Sequence, residues 1–148
     1  MSRSSFFTAG ISAVFLTTLS LSARADDPTD VIEYRKHIMR TLGEQSAALG
    51  MIMQKKAPDD NFAVHAELLA ATAASALKAF EPKVVGGDAK PQVWDKWDDF
   101  SKRMKELAAN TTDLAVSAKA GGTAAAGPKM QGALTCKGCH DIYRAEKK

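Results

Sequence analysis

Cysteine is scarce in this chain. Cys136 and Cys139 are the only two among 148 residues. A structural zinc site takes about four protein ligands. Here there is no second Cys-x-x-Cys and no paired histidine to complete one, so that reading lacks half its donors. Strand-like alternation is also missing, which argues against a thioredoxin-like redox unit, where a Cys-x-x-Cys opens a helix after a strand. No basic run with interleaved aromatics occurs, which argues against nucleic acid as partner. No Ser-His-Asp set or base beside a nucleophile stands out, and nothing places a distal His/Arg pair as in a haem peroxidase, so the chain reads as a non-enzyme. Internal repeats and low-complexity domains are absent too.

What is present is TCKGCH at 135–140, with little chain after it. Cys136 and Cys139 form either a disulfide, half of a zinc site, or the attachment motif for c-type haem. On a helix, positions i, i+3 and i+4 share one face. Cys136, Cys139 and His140 can then all meet one flat porphyrin, two through thioethers and one through iron. The haem reading is the one that uses all three residues.

The other end agrees with it. Residues 1–25, MSRSSFFTAGISAVFLTTLSLSARA, have a positive start at Arg3, an uncharged apolar stretch from Phe6 to Leu21, and a small-x-small site at Ala23-Arg24-Ala25. That is the pattern of a secretory signal peptide rather than a membrane anchor. One arginine before the apolar core argues against twin-arginine export. Export to the periplasm suits c-type haem, which is attached outside the bacterial cytoplasm. The expected domain is 26–148, 123 residues and one core. Cleavage removes two arginines and no acid, so the formal charge falls from +3 to +1. Two ionised propionates bring it to about −1. No later stretch is apolar enough to span a membrane.

Four amphipathic segments follow. The first runs from about Thr29 to Lys56, capped by Asp30 with Glu33. Its stripe is Ile32, Arg35, Met39, Leu42, Ser46, Leu49 and Met53, broadened by Ile38 and Ile52. The second runs from about Asn61 to Phe80, with Phe62, His65, Leu68, Leu69, Thr72, Ala76, Leu77 and Phe80 on its apolar side. Residues 81–91 are a connecting loop rich in proline and glycine. The third runs from Pro91 to about Ala120 through Val93, Trp97, Phe100, Met104, Leu107, Thr111, Leu114 and Ala118. AGGTAAAGP at 120–128 reads as a flexible link. The fourth, Lys129 to about Glu146, carries the haem motif. The expected fold is all-α, an antiparallel up-down-up-down four-helix bundle with covalently bound haem between its helices.

Two residues of the first stripe stand out. Arg35 puts a charge on an apolar face. It needs a partner there, which a propionate supplies, or it snorkels to solvent. Met39 is core filler or a ligand. His37 points away from the Met39 face, and His65 reads as an edge or core histidine.

Three segments resemble the class II c-type cytochromes, the cytochrome c′ family: TCKGCHDIYR at 135–144, YRKHIM at 34–39 and GGDAKPQVW at 86–94. The resemblance implies one covalent haem c, thioethers at Cys136 and Cys139, and His140 as proximal ligand. Arg35 then lies near the propionates, and Tyr143 and Arg144 pack beside the proximal histidine. Met39 faces the distal side of the iron. MRTLGEQSAALGMI at 39–52 is similar to the low-spin branch, in which a first-helix methionine binds iron and the protein passes electrons. Gly43 and Gly50 would let the first helix approach the haem. The other branch is five-coordinate and binds nitric oxide or carbon monoxide. The resemblance further implies periplasmic redox partner proteins and allows a homodimer through the first helix, as in many relatives.

Overall fold

The structure, a computed structural model, describes residues 27–146. The leader expected at 1–25 lies outside the described residues. Three long helices, α1 (Pro28–Met53), α2 (Phe62–Ala76) and α4 (Trp97–Ala126), are joined by short pieces. These are α3 (Gln92–Asp95), α5 (Met130–Ala133), α6 (Cys136–Tyr143) and three 3-10 turns. No strand forms among the described residues; two isolated bridges, Gly86–Ala89 and Ala89–Arg144, are the only sheet-like contacts. The fold is the antiparallel four-helix bundle, with α2 packed between α1 and α4 and the C-terminal short helices completing it.

The core follows the 3-4 spacing. Arg35, Leu42, Leu49 and Ile52 of α1 are buried, as are Phe62, Leu69 and Ala76 of α2, and Phe100, Met104, Thr111, Leu114 and Ala118 of α4. Burying one such leucine or phenylalanine stabilises by about 1.5–3 kcal/mol. Thr111 is buried without loss because its hydroxyl donates to Leu107 O at 2.8 Å. Two stripe members face solvent instead: Met53 is 40% exposed and Leu68 is 47% exposed. In α2 the alanines at 66 and 73 take the inward positions and leave Leu68 outside.

Several boundaries differ from expectation. The α1 cap is Asp27, whose carboxylate accepts from Thr29 N–H at 2.8 Å, with Pro28 in the first turn. Asp before Pro is a favoured helix start. Glu33 is paired with Lys36 at 2.7 Å and does not reach back to Asp30. α1 stops at Met53, because Lys55 adopts a left-handed φ of 58°. The link expected at 120–128 is present but shorter. Gly121 (φ −158°, ψ 27°) and Gly122 (φ 59°, ψ −149°) leave helical geometry and the chain turns back. Lys129 thereby meets Asp113 at 2.7 Å, and Asn110 donates to Gly132 O at 3.3 Å. Residues 123–126 are already helical again and run into a 3-10 turn. The third and fourth segments are each divided. Lys96 (φ −122°, ψ 44°) separates α3 from α4, and Leu134 with Thr135 separates α5 from α6. Beyond Tyr143 the chain turns extended at Arg144 instead of continuing as helix.

Candidate cofactor site

A cleft of about 390 Å³ opens between α1, the 86–89 segment and α6. Its volume lies within the range of about 300–1,000 Å³ common for small-molecule sites. Met39 and Arg35 line it from α1, and Cys139, His140, Tyr143 and Arg144 from the α6 region. Cys136 is exposed and stands outside the lining, one turn before Cys139 on the same helix. Six of the seven residues singled out in the sequence therefore share one cavity. His37 and His65 do not. His37 is exposed, and His65 Nδ1 is occupied by Gln45 Oε1 at 2.8 Å. A shallow depression of about 510 Å³ along α4, at Asp98, Lys102 and Lys105, is open to solvent and carries no cysteine, histidine or methionine.

The floor is aromatic. Phe100 stacks edge-on to Tyr143 at 5.1 Å and tilts against Phe80 at 5.0 Å. Tyr143 O–H donates to Asp99 Oδ2 at 2.5 Å, and Arg103 Nε donates to the same oxygen at 2.7 Å. These bonds tie α6 to the start of α4. Burial, then the Asp99 hydrogen bond, push the Tyr143 phenol up to about 12. Burial, with Arg144 adding to it, holds His140 below the usual imidazole range. Neutral imidazole is the form that binds iron. Burial also pushes the Cys139 thiol up.

Arg35 is 3% exposed. Its guanidinium donates to Val84 O at 2.7 Å and Gly86 O at 3.3 Å. It also sits over the rings of Trp94 and Phe80, at 5.1 and 5.5 Å. The snorkelling alternative is therefore wrong for this residue. Its charge does not reach solvent, and burial lowers its pKa.

Sequence reasoning took 81–91 as a connection, with 86–94 a family-like segment given no place at the site, yet Gly86, Gly87, Asp88 and Ala89 form one wall of the cleft. The signal was the Gly-Gly pair. A Cβ at Gly86 or Gly87 would come within 2.8 or 2.9 Å of Ile32, and both have positive φ. Phe80 and Phe100 were read as core and also line the site. Gly43 and Gly50 are different. Neither lines the cleft, and a Cβ at either would meet no protein atom within 4 Å, so packing within the chain does not require a glycine there.

These residues suit a flat, planar macrocycle with a metal. The cleft is floored by rings and lined by imidazole and thioether donors, with two thiols a helical turn apart. Among the described residues, no cluster of His, Cys, Asp and Glu is arranged to hold a bare metal ion. Cys136, Cys139 and His140 are the groups that would hold a haem, with Met39 on a separate helix of the same cavity.

Comparison with known proteins gives the same direction. The sequence model of the Cytochrome C' family matches residues 30–144. Cytochrome c′ from Pararhodospirillum photometricum is 37% identical over 123 residues, covering 79% of this chain and 98% of that protein. Cytochrome c-556 from Agrobacterium tumefaciens is 27% identical over 121 residues, covering 78% and 98%. Among solved structures, a ferrous variant of cytochrome c prime from Alcaligenes xylosoxidans with bound NO superposes with a TM-score of 0.75 at 25% identity, covering 82% and 98%.

Proposed function

Since the chain belongs to the cytochrome c′ family and carries that family's single covalent haem c, we propose that it is a periplasmic electron carrier rather than an enzyme. Cys136 and Cys139 are the thioether sites, His140 is the proximal ligand and Met39 is the distal ligand. Bound there, the haem supplies a one-electron couple whose potential a histidine–methionine pair raises. The observation that carries this reading is that Met39 and His140, from two separate helices, line the same cleft.

The chain's own residues hold and shield the site. Burial, with Arg144 adding to it, disfavours the charged form of His140. Phe80, Phe100 and Tyr143 exclude water from the floor, which lowers the local dielectric around the iron. Arg35 brings a buried positive charge to the wall, where a propionate would meet it. Periplasmic redox proteins as donor and acceptor belong to the proposal, as does export through residues 1–25, which rests on their leader pattern. So does the possibility of a homodimer.

A second reading has a specific observation behind it. The Alcaligenes neighbour is solved with NO bound. In that reading Met39 only covers an open site and the protein binds nitric oxide or carbon monoxide. Optical spectra of the purified haem protein, ferric and ferrous, with and without carbon monoxide, separate the two. The carrier predicts sharp split bands on reduction, a weak far-red sulfur-to-iron band on oxidation, and no response to the gas. Broad high-spin bands that shift with carbon monoxide would replace the carrier with the gas binder.

A further inference from the structure

The helix that carries the haem motif is too short to hold its own direction. α6 has eight residues, below the length at which a helix is stable without tertiary support. Its far end is fixed by the 84–90 segment. Lys90 N–H donates to Tyr143 O at 2.9 Å, and Ala145 N–H donates to Asp88 O at 2.8 Å. Ala89 bridges to Arg144. The same segment is fixed at its other end by Arg35, which donates to Val84 O and Gly86 O. Gly86 and Gly87 there press against Ile32 of α1. A continuous strap thus runs from the α1 wall of the cleft to the end of the His140 helix.

Arg35 has no carboxylate partner among the described residues, and each of its side-chain hydrogen bonds goes to the strap. A buried charge is costly to keep, and one well-attested reason to retain it is to fix an arrangement. The planar guanidinium fork can hold two carbonyls while stacking on two rings; an ammonium on a flexible stem cannot. We propose that Arg35 is a positioning residue: it pins the 84–90 strap to α1 and, through the strap, sets how the His140 helix faces α1. The inference rests on α6 being the haem helix.

The test uses the ferric haem-loaded protein and the variants Arg35→Lys and Arg35→Gln. Amide hydrogen exchange is read at Lys90 and Ala145, with Leu69 and Ala73 of α2 as controls, and the midpoint potential is measured beside it. Both variants are expected to exchange on the order of tenfold faster at Lys90 and Ala145 with the α2 controls unchanged. The potential is expected to shift in both, because lysine keeps the charge but loses the fork. Gly87→Ala, which pushes on the strap from Ile32, is expected to speed the same amides and covers the case in which Arg35→Gln does not fold. Exchange at Lys90 and Ala145 within about twofold of the parent would overturn the proposal. Full rescue of exchange and potential by lysine would leave only a charge effect and overturn it as well. Equal acceleration at the α2 amides would make Arg35 a general stabiliser instead. Exchange at the strap reports positioning whichever ligand faces the iron. A haemochrome lacking two thioethers would instead remove the haem-helix reading on which the inference rests.

Discussion

Tyr143 joins three parts of the molecule: its ring floors the cleft, its hydroxyl reaches Asp99 on α4, and its carbonyl accepts from Lys90. The phenol is raised from 10.0 to about 12. The unfolded chain therefore loses this proton before the folded one. The stability that Tyr143 contributes is complete below pH 10, declines between pH 10 and pH 12, and is gone above. The Asp99 side chain at the hydroxyl end is 47% exposed, so water screens part of this effect. Denaturant midpoints should fall across that window, and Tyr143→Phe should remove the part of the slope that follows the phenol. The cysteines can be tested as directly. Cys136→Ser and Cys139→Ser should each leave a pyridine haemochrome with one thioether and weaken haem retention. Two intact thioethers in either variant would show the attachment assignment to be wrong.

At the scale of elements, Gly43 separates two explanations of the same residue. It lies inside α1, exposed, with open space where a Cβ would go. Gly43→Ala should therefore stabilise the fold by about 0.5–1 kcal/mol in denaturant titrations and leave the optical spectrum unchanged. A changed iron spectrum would mean that α1 does approach the haem at this point.

The registers of α1, α2 and α4 were legible because apolar side chains repeat at helical spacing over many turns, as Leu42, Leu49 and Ile52 do. The breaks were not. Nothing at Lys96 marks the end of α3, since lysine is an ordinary helix residue. Gly121-Gly122 is the exception: the Gly-Gly pair reads as a link, and the chain does leave helical geometry and turn back there. The 135–144 motif marked the candidate attachment residues, because Cys-x-x-Cys-His is a chemical pattern at fixed spacing. The strap was illegible because its bonds to Tyr143 and Ala145 are between backbone groups far apart in sequence.

For the whole molecule, the buried layer runs through α1, α2 and α4, and Leu69 lies in it at 1% exposure. Leu69→Ala should cost about 2–5 kcal/mol, read as a lower denaturant midpoint. Because Leu69 does not line the cleft, the spectrum of the folded variant should be that of the parent. Loss of the iron spectrum before the helical signal would instead mean that the site depends on this layer more closely than the packing implies.

α6 follows the three long helices in chain order and touches them chiefly through the strap, α3 and the start of α4. Contacts among the long helices are mostly between neighbours in the chain, which favours early folding. Cys136 is exposed on this short helix, within reach of solution. The molecule is in this sense a frame of long helices with a short graft, joined by a few backbone bonds and the Tyr143–Asp99 contact. A covalent haem adds a further tie between graft and frame.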